Sequence, residues 1–418
     1  MVVCIPATGA VCNSGDIAWV ITATALVMIM TPGLGFFYGG LVRRKNLVST
    51  IVQCMAIFAV VSLAWAVWGY TMAFGPSVFG GFIGNFQYFG LNGVGSAANT
   101  AYSSTIPALL FFAFQLKFAA ITPALIIGAF AGRIRLKPLL IFILAWVTFI
   151  YFPVAHWIWG VGGWLHVMGV EDFAGGMVVH TTAGVSALAA ALVIGRGVDF
   201  GKESRPNNVP YVILGTAILW FGWFGFNAGS SLSANDVAVN ALVTTNLAAA
   251  AAGVAWMLMD WTLKGKPSAV GMCVGFVCGL AAVTPAAGFV SPALAMVIGV
   301  VAGVGCNMVA GWRARTKLDD SLDVFACHGV GGMWGTVATG LFASAAISGS
   351  NGLVYGDPHF ALLQMFAVAV VASFAFVGTY VILRVINFFS PLRTSTEEEK
   401  AGLDEVHFGE EAYYPASE

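Results

Sequence analysis

Charge is what this sequence has least of. Only 9% of its 418 residues are Asp, Glu, Lys or Arg, where a soluble domain carries about a quarter. So few charges cannot cover a water-facing surface, which excludes a soluble globular protein. A basic excess is absent as well: the formal net charge is −1, which argues against nucleic acid as a partner. The seven cysteines contain no CxxC pair and no zinc-type spacing, so no metal site is expected. No nucleophile–base pair and no nucleotide loop stands out, so neither an enzyme nor a cofactor is expected. A basic n-region for a cleavable signal peptide is also missing.

Apolar residues are what the chain has instead. They make up 59% of it, and the mean hydropathy is +0.87. The 51 glycines suit helices that pack backbone-close in lipid. A membrane span needs roughly 20 apolar residues. Eleven runs qualify, over about 18–40, 47–74, 102–132, 138–158, 173–195, 209–229, 237–262, 268–287, 289–312, 324–345 and 359–389. The fold class is therefore all-α, integral to a lipid bilayer. Cys54, Cys273, Cys278, Cys306 and Cys327 lie in or near these runs, where Cys behaves as a small hydrophobe. Cys4 and Cys12 precede the first run, and a disulfide or two free thiols are equal readings there.

The few basic residues are not scattered. Arg43, Arg44 and Lys45 follow run one; Arg133, Arg135 and Lys137 follow run three; Arg196, Lys202 and Arg205 follow run five. Lys264 and Lys266 follow run seven, Arg313, Arg315 and Lys317 run nine, and Arg384, Arg393 and Lys400 run eleven and the tail. Loops after even runs carry none. The positive-inside rule then places the N-terminus outside and the C-terminus in the cytoplasm. Residues 1–389 form the membrane domain and 390–418 a cytoplasmic tail, which reads equally as a disordered spacer or as a segment docked on the bundle.

An internal echo organises the runs. In "DFAGGMVVH" Asp172 precedes His180 by eight residues, and in "DSLDVFACH" Asp320 precedes His328 by the same interval. The motifs open runs five and ten, which cross in opposite directions. This is the pattern of an inverted repeat, runs one to five against six to ten, with run eleven added. Eight helical residues rise about 12 Å, roughly the depth of half a hydrocarbon core. Each Asp reads as a helix cap and each His as a residue near the midplane, where ionisable groups mark a pathway.

Four stretches, "TPGLGFFYGGLVRRKN", "DFAGGMVVH", "WFGWFGFNAGS" and "DDSLDVFACHGVGGMWG", together resemble the ammonium transporter (Amt/Mep) family, in order and at family-like spacing. The resemblance implies a homotrimer in the plasma membrane, each protomer with its own pore for ammonium or ammonia. It implies roles residue by residue. Trp159, Ser230 and Phe114 look like the outer cation-recruiting mouth, to which Phe118 also contributes. Phe118 and Phe226 look like a paired aromatic gate. Trp223, His180 and His328 look like pore residues, and Asp172 like the family's essential acid, with Asp320 its counterpart. Bottom-up chemistry fits: a Trp face attracts a small cation, a Ser oxygen accepts one N–H, and a bare charge is costly in the apolar pore below. Deprotonation near the gate and passage of ammonia past the His pair is the expected route.

Two positions depart from the pattern. Lys117 precedes the gate Phe118, and the expectation is that it is hydrogen-bonded between helices, away from the pore. In "GLDEVHFGEEAYY" the family's tail His-Gly appears as Phe408-Gly409, with His407 one residue early, which weakens the case for a PII-type signalling protein as a partner. Two rivals stand beside the transporter reading. An Rh-like gas channel is disfavoured by the cation-recruiting Trp159 and Ser230. An ammonium sensor signalling through its tail would be favoured by a long appended domain, and the tail here is short.

Overall fold

Apolar segments without water to bond must satisfy their backbone internally, and a helix does so within one segment. Residues 12–202 and 205–413, which the computed structural model describes, are accordingly mostly helical, with loops between the helices. One short antiparallel hairpin, β1 (Ser77–Val78) with β2 (Ile83–Gly84), follows the second helix. In chain order the long helices are α1 (Ser14–Leu41), α2 (Arg44–Phe74), α3 (Ala108–Phe130), α4 (Leu136–Val167, broken at 160–163), α5 (Gly176–Ile194), α6 (Val209–Ser231) and α7 (Asp236–Lys264). Then come α8 (Ala269–Val283), α9 (Pro292–Ala314), α10 (Phe325–Val330 running on as Gly331–Phe342) and α11 (Pro358–Phe389).

Local chemistry fixes many of the starts. Asn13, Asn208, Asn235, Ser268, Ser291 and Asp357 each accept a backbone N–H of the first turn of α1, α6, α7, α8, α9 and α11, the usual N-cap arrangement. Among the described residues, nine helices are long and apolar enough to cross a bilayer. The two that fall short are α8 and α10, so the expectation of eleven full-length spans is met only in part. The reason at α8 is specific. The run read as 268–287 stops at Val283 because the following residues form a buried turn. That turn is held by α7: Asn240 donates to Ala287 O (3.1 Å) and Val290 O (3.0 Å), and Thr244 to Ala287 O (2.9 Å). The third run also starts later than read, at Ala108 behind Pro107.

The basic loops converge on one end of the bundle. Arg43 pairs with Asp199 (2.7 Å), Arg133 with Asp319 (2.8 Å), Arg135 with Glu398 (3.3 Å) and Arg393 with Glu399 (3.1 Å), while Arg196 donates to Lys317 O. The tail docks here. It forms α12 (Thr396–Ala401) and α13 (Leu403–Phe408), and α12 opens with a Ser395–Glu398 capping box. The Ser395 amide, helped by Arg135, holds the Glu398 carboxyl below the usual carboxylate range. Asp404 accepts from the amides of Val48 (3.0 Å) and Ser49 (2.7 Å), so the tail caps α2. Leu403 is fully buried. Of the two readings of 390–418, the structure therefore takes the docked one as far as Tyr413. The Cys4–Cys12 question falls on Cys4, outside the described residues.

Candidate functional site

The stretch "DFAGGMVVH" folds around its acid. The Asp172 carboxylate accepts from four successive amides, Gly175 (2.8 Å), Gly176 (2.7 Å), Met177 (2.7 Å) and Val178 (3.1 Å). It satisfies the orphan donors of a helix start that water does not reach. Gly175 stands at φ 120°, and a Cβ there would press on the Val179 side chain. From Gly176 to Thr181 the helix is π-wound, with His180 N bonding Gly175 O at 2.9 Å. Such one-turn π segments concentrate at functional sites. His180 follows at 1% exposure.

The second motif repeats the plan from the other end of the bundle. Asp320 accepts from Val324 (3.1 Å) and Phe325 (2.8 Å), and Phe325–Val330 is again π-wound with His328 inside it. The offset of 148 positions that relates the two histidines also relates their packing. Gly184 stands where a Cβ would strike the Gly329 backbone, and Gly332 where one would strike the Thr181 backbone. These are the same contact seen from each half. Glycine at both crossings lets α5 and α10 approach until the imidazoles meet: His328 Nδ1 lies 3.3 Å from His180 Nδ1, with the rings 5.3 Å apart and nearly parallel at 17°. One of these nitrogens must donate and the other accept, so the pair shares a proton. His180 Nε2 has no hydrogen-bond partner among the described residues.

Above the pair stands a continuous aromatic column. Trp223 and Phe226 lie against His180 at 5.3 and 5.9 Å between centroids. Phe226 meets Phe118 at 4.3 Å, and Phe118 meets Phe114 at 4.9 Å and Trp159 at 6.0 Å. Trp223 is held by its Nε1 donating to Thr284 Oγ1 (2.9 Å), and Trp159 by its Nε1 donating to Asp172 O (2.8 Å). Ser230 Oγ spends its proton on Phe226 O (2.8 Å), which leaves its lone pairs free to accept from a ligand. Below Phe226 a narrow apolar cavity reaches both histidines. It is lined from α1, α3 and α5 of the first half (Met30, Ile121, Val179) and from α6, α8 and α10 of the second (Leu219, Val277, His328).

The ten site residues singled out from the sequence thus fall in one connected assembly: the two caps, the two rings they lead to, and the column above. Lys117 is a correction. Its ammonium makes no hydrogen bond among the described residues and lies 5.1 Å from the centroid of the Phe58 ring on α2, away from the aromatic column. An aromatic face attracts a cation. Thr284, which holds Trp223, was missed, since a lone Thr gives no sequence signal of its own. Among the described residues no three His, Cys, Asp or Glu side chains are grouped to hold a metal ion.

Comparison with known proteins identifies the family. A profile of the Ammonium Transporter Family matches residues 18–413. Ammonium transporter Amt1 of Archaeoglobus fulgidus is 44% identical over 402 residues, spanning 96% of this chain and 100% of that protein. An ammonium transporter of Bacillus subtilis is 45% identical over 402 residues, 96% of this chain and 98% of its own. The crystal structure of Saccharomyces cerevisiae Mep2 superposes with a TM-score of 0.88 at 37% identity, covering 92% of this chain and 88% of that one. By sequence and fold, this chain belongs to the ammonium transporter family.

Proposed function

We propose that this protein carries ammonium across the plasma membrane through one pore per protomer of a homotrimer. In this reading α8 and α10 cross with the nine longer helices, giving eleven spans, with the N-terminus outside and the basic end in the cytoplasm. The observation that carries it is the stacked column from Phe118 and Phe226 down to the His180–His328 pair. It is aromatic where a cation has to be received and apolar where a charge has to be refused.

The residues divide the work. The Trp159 face draws the cation, the Ser230 lone pairs accept one N–H, and the Phe114 and Phe118 rings wall off bulk water. The Phe118–Phe226 pair closes the route below. An ammonium ion gives up its proton at that gate to water of the outer mouth, because an unpaired charge below it is strongly disfavoured. Ammonia, which keeps a lone pair and three N–H donors, moves along the two imidazoles of the lining. It regains a proton at the far side. The basic end, with its docked tail, is where a PII-type signalling protein would act.

Purified protein in proteoliposomes tests this. An ammonium pulse should raise flux, and the charge moved per ammonia taken up reads whether the proton travels with it. Trp159→Leu and Ser230→Ala should weaken the preference for ammonium over potassium. Unchanged selectivity in both would remove the cation–π mouth. Labelling of single cysteines on a Cys-free background should find position 264 cytoplasmic and position 236 external; both on one side would refute the eleven-span topology.

A further inference from the structure

The outer end of α1 holds a buried acid that the pore itself does not use. Asp16 is 5% exposed. Its Oδ1 accepts from Ser233 Oγ (2.9 Å) and from the Ala234 amide (2.8 Å); the Thr105 side chain lies beside the same carboxylate, and Thr105 O accepts from the Asn13 amide at the start of α1 (2.9 Å). Burying a carboxylate is costly unless it is fully hydrogen-bonded, so the partners matter. Thr105 leads into α3, which carries Phe114 and Phe118. Ser233 follows Ser230 by three residues. Between them Leu232 sits at φ 56°, a left-handed conformation that a branched residue rarely adopts. Such strain persists where the surroundings over-determine it. Here Ser231 Oγ ties the turn to Ala228 O (2.8 Å), Trp19 Nε1 reaches the same carbonyl (3.3 Å), and Asp16 holds the far side.

We propose that Asp16 is a positioning residue of the outer mouth: its carboxylate clamps the 231–234 turn to α1 and to the lead-in of α3. It thereby sets where Ser230 Oγ stands relative to the Phe114 ring. The inference rests on the reading of Trp159, Ser230 and Phe114 as the site that receives ammonium. It assigns Asp16 no contact with the ion. What the carboxylate contributes is geometry, and a neutral group with the same acceptor in the same place should serve.

The test is the ammonium concentration for half-maximal flux in proteoliposomes, at matched amounts of folded protein. Asp16→Ala should raise it about tenfold, a shift of the size one lost hydrogen-bonded contact produces, with maximal flux within about twofold. Asp16→Asn keeps an oxygen for Ser233 and Ala234 and should stay within about twofold of the unmodified protein. Adding Leu232→Gly to Asp16→Ala should recover most of the loss, because glycine holds the left-handed turn without a clamp. An unchanged half-maximal concentration in Asp16→Ala overturns the proposal, and so does an Asp16→Asn variant as impaired as Asp16→Ala. If Asp16→Ala does not fold, Ser233→Ala should still raise the half-maximal concentration by about threefold, and no rise there overturns the proposal too. Ser230→Ala separates the two levels. If it shifts the half-maximal concentration while Asp16→Ala does not, only this inference fails; if it shifts nothing, the mouth reading fails with it.

Discussion

The two Asp…His motifs occupy equivalent places, yet they are built differently. Asp172 caps four amides and Asp320 two. Three residues after each acid the chain needs a positive φ. The first motif meets it with Gly175 (φ 120°), the second with Asp323 (φ 54°), whose carboxylate takes a 2.8 Å bond from Arg313. Asp is one of the few side-chain-bearing residues that tolerate that region. The first acid also holds Trp159, whose Nε1 donates to its carbonyl; the second sits among the ion pairs of the basic end, next to Asp319 and Arg133. The two halves therefore preserve position, not bonding. What the repeat keeps is the depth and facing of one imidazole, and each half supports it with whatever its own end of the bundle offers.

The largest break in this comparison should come from the caps. Asp172→Ala leaves four buried amides without an acceptor, each costing about 1–3 kcal/mol if nothing replaces the bond. It should abolish transport and lower the melting temperature of the detergent-solubilised protein well below that of Asp320→Ala, which uncaps two. Equal losses in the two variants would show that the count of bonds does not matter. Gly175→Ala comes next: forcing a Cβ into φ 120° beside Val179 costs about 1–3 kcal/mol, and the melt should shift accordingly. The smallest change should be Asp323→Gly. It relieves a left-handed residue, worth about 1 kcal/mol, and loses the Arg313 bond, worth a similar amount. A melting temperature near the unmodified value is expected, and a collapse as deep as that of Gly175→Ala would mean that Asp323 is needed for its charge.

Much of this was legible in the sequence because it rests on intervals. The eight-residue spacing from acid to imidazole, repeated once, placed both histidines at one depth, and the alternation of Arg and Lys between loops placed their ends. The Phe118–Phe226 contact was readable only through resemblance: nothing in the spacing of the two residues, on separate helices, says that their rings meet at 4.3 Å. The π-winding at both histidines left no trace either, since a one-residue slip of register looks like any helix. The short α8 was misread for a related reason. Its last apolar residues look helical, and only Asn240 and Thr244 on another helix turn them into a capped corner. Lys117 went wrong because hydrogen bonding was assumed where the neighbouring helix offers an aromatic face.

The central claim is that the two imidazoles act as one unit sharing one proton. A double-mutant cycle on ammonium flux measures this directly. His180→Ala and His328→Ala should each lower flux by at least about tenfold, and the double variant should fall within about threefold of the worse single, because removing either ring breaks the same track. If instead the two losses are mild and multiply in the double variant, the rings work independently, and the shared-proton pair at 3.3 Å has only a structural role.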